Sequence, residues 1–213
     1  MGKQILARVL GFGIIALARL VTGVRPDWRG CLPSEKQRLY FANHASHGDF
    51  LLIWTALPWS LRGSTRPVAA QDYWGGNDLM GFIGRSVFNA VLIDRQHQPG
   101  QPAPLDVMMA AVNERVSLIF FPEGTRNTSD EPLLPFKSGL YHLSKANPEL
   151  ELVPVWIENI GRVMPKGEFL PVPLLCSVIF GAPIAVAPDE ERDDFIARAR
   201  NALLALKPAD FHR

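Results

Sequence analysis

Strand-like runs of five to seven residues recur along this chain, with helix-like stretches between most of them. Arg38–Ala42, Pro67–Gln71, Phe88–Ile93, Val116–Phe121, Leu152–Ile157 and Leu174–Phe180 read as strands. Asp49–Leu57, Asp78–Arg85, Leu105–Arg115, Ser138–Ala146 and Asp189–Leu206 read as helices. In Leu105–Arg115 the apolar residues Leu105, Met108, Met109 and Val112 share one face. Asp189–Leu206 carries acidic residues in its first turns and is followed by Lys207, which suits the helix dipole. Such alternation predicts an α/β domain with a mixed, largely parallel sheet flanked by helices. Ligands of such sheets gather at the carboxyl ends of the strands.

The chain has 213 residues, 47% of them hydrophobic, enough for one domain with a sizeable core. A formal net charge of +1, with no basic tract or zinc-finger spacing, speaks against nucleic acid as a partner. Cys31 and Cys176 belong to no CxxC pair and read as idle thiols rather than a disulfide.

Residues 1–24 stand apart from residues 25–213. Ile5–Val24 is apolar but broken by Arg8 and Arg19, and its uninterrupted part, Val9–Ala18, would cover only about 15 Å as a helix. That is about half the hydrocarbon core of a bilayer. A signal peptide, a membrane-spanning helix and a helix that simply packs on the domain are competing readings. The expected one is a membrane-associating helix lying in one leaflet, with Lys3, Arg8, Arg19 and Arg25 near anionic head groups. Trp54, Trp59, Trp74 and Trp156 are candidates for lipid contact, at least two of them better read as core.

Two motifs carry chemistry. In Asn43-His44-Ala45-Ser46-His47-Gly48-Asp49, the imidazole and the carboxylate are five residues apart. That spacing is about 140° around a regular helix, so the two meet only if His44 sits in the turn before the helix. Asp49 would then fix the His44 tautomer and leave the other ring nitrogen as a base. The rival readings are a helix cap beside a turn histidine, a metal site of His44, His47 and Asp49, and a Ser46 nucleophile. No G-x-S-x-G elbow supports the last, and no second His/Cys cluster supports the metal.

The second motif, Phe121-Pro122-Glu123-Gly124-Thr125-Arg126, follows an apolar strand. Gly124 permits tight backbone geometry, Thr125 adds a hydroxyl, and Arg126 supplies a planar fork suited to phosphate. Glu123 is placed to orient a cation or to bond a substrate hydroxyl. A surface loop with an internal ion pair is the plain alternative. Arg95 and Lys137 are further candidate cations, unless Arg95 pairs with Asp94 and Lys137 is merely solvated.

These residues resemble the glycerolipid acyltransferases. Asn43-His44-x-Ser46-x-x-Asp49 is similar to their N-H-x-x-x-x-D block, Leu92-Ile93-Asp94-Arg95 to the second, Phe121–Arg126 to the third and Val153–Ile157 to the fourth. Asn89, Leu92 and Asn127 depart from residues common in that family. The resemblance implies an acyltransferase domain over residues 25–213, with His44 as general base and Asp49 orienting it. Arg95, Glu123, Gly124, Thr125, Arg126 and Lys137 would bind the acceptor and its phosphate, and the fourth block would help form a substrate pocket. The implied reaction moves an acyl group from acyl-CoA or acyl-carrier protein to lysophosphatidic acid, giving phosphatidic acid, with no metal or cofactor. Other lysophospholipids, glycerol 3-phosphate or a hydroxylated aminolipid are alternative acceptors, and a silent lipid-binding protein or a Ser46 hydrolase the alternative classes. The implied location is the cytoplasmic face of the cell membrane, peripheral or monotopic.

Overall fold

The computed structural model describes residues 2–74, 78–95, 100–158 and 176–208. Within them a seven-stranded sheet is built from β1 (Arg25–Trp28), β2 (Arg38–Ala42), β3 (Thr65–Ala70), β4 (Val91–Ile93), β5 (Ser117–Phe120), β6 (Glu151–Glu158) and β7 (Ser177–Phe180), in the order β1-β7-β6-β2-β5-β3-β4. All neighbours run parallel except β6 and β7. The sheet is therefore mixed and mostly parallel. The expected start of the last strand at Leu174 lies outside the described residues.

β2 reads as a continuous apolar run because both its faces are covered. Leu39 and Phe41 point with Leu118 and Phe120 into one core layer, closed by α6 (Pro104–Asn113), α7 (Gly139–Ala146) and α8 (Arg192–Leu204). Tyr40, Ala42, Ile119, Val153 and Val155 point the other way, toward α2 (Asp49–Ala56) and α1 (Gly2–Thr22). Alternation along each strand thus splits one apolar sequence between two layers.

Some elements differ from the sequence reading. β1 is a four-residue strand, Arg-Pro-Asp-Trp, too short and polar to stand out. Three short helices, α3 (Trp59–Arg62), α4 (Gln71–Trp74) and α5 (Asp78–Phe82), lie around β3. The expected strand from Phe88 begins only at Val91. Residues Ile83–Val87 form a π-turn, closed by the Phe88 N–H on the Ile83 carbonyl (3.1 Å), and Asn89 takes a positive φ of 48° before β4. The π-turn wraps Trp74: a Cβ on Gly84 would stand 2.7 Å from that indole, so the ring requires glycine there.

α1 is folded against the domain. Ala7, Ile15 and Ala18 are buried, and Phe12 stacks on Trp59 at 4.6 Å between ring centroids. Leu6, Val9, Leu17 and Leu20 are exposed. Among the described residues no helix is long and apolar enough to cross a membrane. Trp54, Trp74 and Trp156 are buried, and Trp59 is exposed.

Candidate active site

β2 and β5 are parallel neighbours with Phe41 opposite Phe120, so the two motifs leave the sheet side by side at its carboxyl edge. Asn43 fixes the exit of the first. Its buried amide accepts the Ile157 N–H (2.7 Å) and donates to the Ile157 carbonyl (3.0 Å), tying the end of β2 to β6. His44 follows in the turn, and Asp49 opens α2. The turn brings them together where a helix would not: His44 Nδ1 lies 2.8 Å from Asp49 Oδ2. The same oxygen accepts the backbone N–H groups of Ala45 (2.7 Å) and Ser46 (2.9 Å). The carboxylate is fully buried and the loop is wound around it. A ring nitrogen that donates to Oδ2 at this distance turns the other, Nε2, away from Asp49. The imidazole stacks on Phe121 at 4.2 Å and is 19% exposed.

Glu123 holds the two motifs in register. One carboxylate oxygen accepts the His44 N–H (2.8 Å), and the other accepts the Leu134 N–H (2.8 Å). The His44 carbonyl in turn accepts the Asn127 N–H (2.6 Å). Both backbone groups of His44 are therefore bonded to one loop, at Glu123 and at Asn127. Burial pushes the Glu123 carboxyl above its ordinary value, against the two backbone N–H groups that favour its charge.

A cavity of about 610 Å³ opens in front of His44. Arg95, Arg126 and Lys137 line it with His47 and His142, while Val68, Leu105, Met108 and Phe120 form an apolar part. The Arg95 guanidinium reaches the Gly124 carbonyl and the Asp72 carboxylate only at 3.5 Å each, which leaves it available to an anion. Gly124 also lines the cavity with a φ of +70°, and Lys137 lies across it; a Cβ there would stand 2.7 Å from Lys137 Cε. The His47 imidazole is held below its ordinary pKa by burial and by Arg126 and His44.

Of the residues expected to touch substrate, Glu123 and Thr125 do not line this cavity. Glu123 is 3% exposed with both oxygens turned to backbone, and Thr125 is exposed to solvent. Val153–Ile157 forms part of β6, buried beside β2, and also stands off the cavity. Its contribution is to hold Asn43. Ser46 is buried, its Oγ accepting the Gly48 N–H at 3.2 Å. No group of three or more His, Cys, Asp or Glu side chains among the described residues is arranged to hold a metal ion. Cys31 and Cys176 are free, and burial with the nearby Asp49 charge pushes the Cys176 thiol up to about 11. Sequence reasoning missed His142 and the two backbone ties of Asn43 and Glu123. Asn43 is marked by standing next to His44; nothing in the periodicity marks His142.

Comparison with known proteins converges on one family. The family model named Acyltransferase matches residues 29–158. A 1-acyl-sn-glycerol-3-phosphate acyltransferase of Limnanthes alba is 29% identical over 181 residues, 84% of this chain and 61% of that protein. One from Cocos nucifera is 32% identical over 141 residues, 62% of this chain and 43% of that protein. The chain thus spans less than two thirds of the length of these relatives. The crystal structure of the 1-acyl-sn-glycerophosphate (LPA) acyltransferase PlsC from Thermotoga maritima has the same fold, with a TM-score of 0.71 over 96% of this chain and 79% of that one, at 17% identity.

Proposed function

This chain belongs to the acyltransferase family, and on that premise we propose that it transfers a fatty acyl group from acyl-CoA or acyl-carrier protein to the free hydroxyl of lysophosphatidic acid. The observation that carries the proposal is the 2.8 Å contact between His44 Nδ1 and Asp49 Oδ2 at the head of a cavity lined by Arg95, Arg126 and Lys137. An oriented base beside a cluster of cations suits a hydroxyl nucleophile borne on a phosphate-bearing molecule.

In this mechanism the acceptor phosphate is held by Arg126, with Arg95 and Lys137 beside it. His44 Nε2 takes the proton of the acceptor hydroxyl as its oxygen attacks the thioester carbonyl. The tetrahedral intermediate collapses, the C–S bond breaks, and the proton on Nε2 passes to the departing thiolate. Asp49 stabilises the imidazolium between the two steps. The exchange of a thioester for an oxyester is favourable and calls for no metal or cofactor. The acceptor and the product are bilayer lipids, so the protein works as a peripheral membrane protein, at the cytoplasmic face in this reading. The exposed apolar residues of α1 supply its contact.

The test is acyl transfer by purified protein in liposomes containing lysophosphatidic acid, with each thioester donor, wild type beside His44→Ala. Phosphatidic acid from the wild type, reduced by about 10²–10⁴-fold in the variant, is the expected result. Equal product from both proteins removes His44 as the base. No product with either donor removes lysophosphatidic acid as the acceptor.

A further inference from the structure

A second cleft, of about 680 Å³, lies between α1 and the end of α2, at the opposite end of α2 from Asp49. The eight residues of α2 put the two sites roughly 12 Å apart along the helix. The cleft is walled by Phe12, Trp28, Leu57 and Trp59 and carries two cations, Arg19 and Arg62.

Arg62 is 7% exposed. Its Nε donates to the Leu57 carbonyl (2.9 Å) and Nη2 to the Thr55 carbonyl (2.8 Å), so it closes the carbonyl end of α2. Its guanidinium carbon lies 5.8 Å from the Trp54 ring and 5.7 Å from the Trp59 ring. The remaining donors, those of Nη1 above all, are left for another acceptor. Among the described residues no carboxylate pairs with Arg62 or with Arg19, and no acidic residue lines the cleft. Asp27, on the β1 wall, is held by Arg29 at 2.7 Å. Burial, and then Arg19, lower the Arg62 pKa, as expected for two cations facing one cleft without a counter-charge.

The cleft is continuous with the apolar face of α1. Phe12, Ala16 and Arg19 of α1 line it, and Val9, Leu17 and Leu20 come next around the helix, exposed. A buried and an exposed cation, aromatic walls and an adjoining apolar stripe match an amphiphile with a phosphate head. A free phosphate has no use for the apolar walls. We propose that this cleft holds one anionic glycerophospholipid of the membrane, its phosphate on Arg19 and Arg62 and an acyl chain along Phe12 and the exposed face of α1. The inference rests on the peripheral-membrane reading given above, and not on the chemistry at His44.

Flotation of the full chain with vesicles tests it. Binding to vesicles containing phosphatidylglycerol should exceed binding to pure phosphatidylcholine. Arg19→Gln should weaken the former about fivefold and leave the latter unchanged. Arg192→Gln, the same charge loss on exposed α8, should change neither. Dispersed short-chain phosphatidylglycerol should change the fluorescence of Trp59 saturably in wild type and not in Arg19→Gln. Turnover of water-soluble short-chain substrates should be the same in both. Equal losses from Arg19→Gln and Arg192→Gln would reduce the effect to diffuse attraction and overturn the site. A saturable response to inorganic phosphate alone would overturn the lipid as ligand. Equal binding to both vesicles sinks this inference and spares the peripheral reading, whereas no binding to either sinks both.

Discussion

Glu123 and Arg126 sit three residues apart in one motif, yet the geometry separates their work. Among the described residues Glu123 bonds only to backbone N–H groups, so the role we propose for it is to position His44. Glu123→Gln replaces one acceptor oxygen by an amide that faces a donor, costing about 1–3 kcal/mol of stability. Its kcat should fall while the KM for the acceptor stays near wild type. Arg126→Ala should do the reverse, raising the acceptor KM about tenfold or more through loss of a charged hydrogen bond. Steady-state kinetics with melting curves separates the two. pH adds an independent check on Glu123. Its carboxyl is raised in the folded protein, so the folded state holds the proton longer than the unfolded chain. The stability this group adds is present below its ordinary value near 4.5 and is lost as pH rises through the folded pKa. The melting-temperature gap between wild type and Glu123→Gln should therefore narrow as pH rises from that value. The side chains of both motifs were legible because His, Asp, Glu and Arg crowd into short runs. The Glu123 contact was not: a carboxylate bonded to a backbone N–H leaves no mark on the residue it meets.

At the scale of elements, the turn after β5 depends on Gly124. Its φ of +70° is a conformation that L side chains enter only at about 1–2 kcal/mol, and Lys137 occupies the space a Cβ would need. Gly124→Ala should lower stability by at least that amount and displace Lys137 from the cavity. Thermal melts and the acceptor KM read the two effects. The strands with apolar runs, β2, β5 and β6, were plain in the sequence because burial on both faces demands such runs. β1 was not, since a parallel edge strand of four residues needs little hydrophobicity once Arg25–Trp28 pair with Ser177–Phe180. The π-turn escaped too. It packs Gly84 against the bulk of Trp74, a contact between segments that no local period records.

At the scale of the molecule, α1 presents apolar side chains on two faces, one spent on the domain and one left open. Leu17→Asp with Leu20→Asp should weaken vesicle binding by well over tenfold, since each leucine inserted contributes about 1.5–3 kcal/mol. The melting temperature should barely move, because both side chains are exposed, Leu20 at 82%. The order of the strands has a consequence for synthesis. β2 leaves the ribosome early, its five residues destined for complete burial, but both partners lie far behind: Leu39 pairs with Leu118 on one side and Leu152 on the other. Until those segments are made, the nascent chain carries a sticky, unpaired apolar strand beside an inert histidine. Chains cut short before β6 have nothing to pair with Asn43, so synthesis must pass β6 before the turn at His44 can be set, and chaperone demand should peak in that interval.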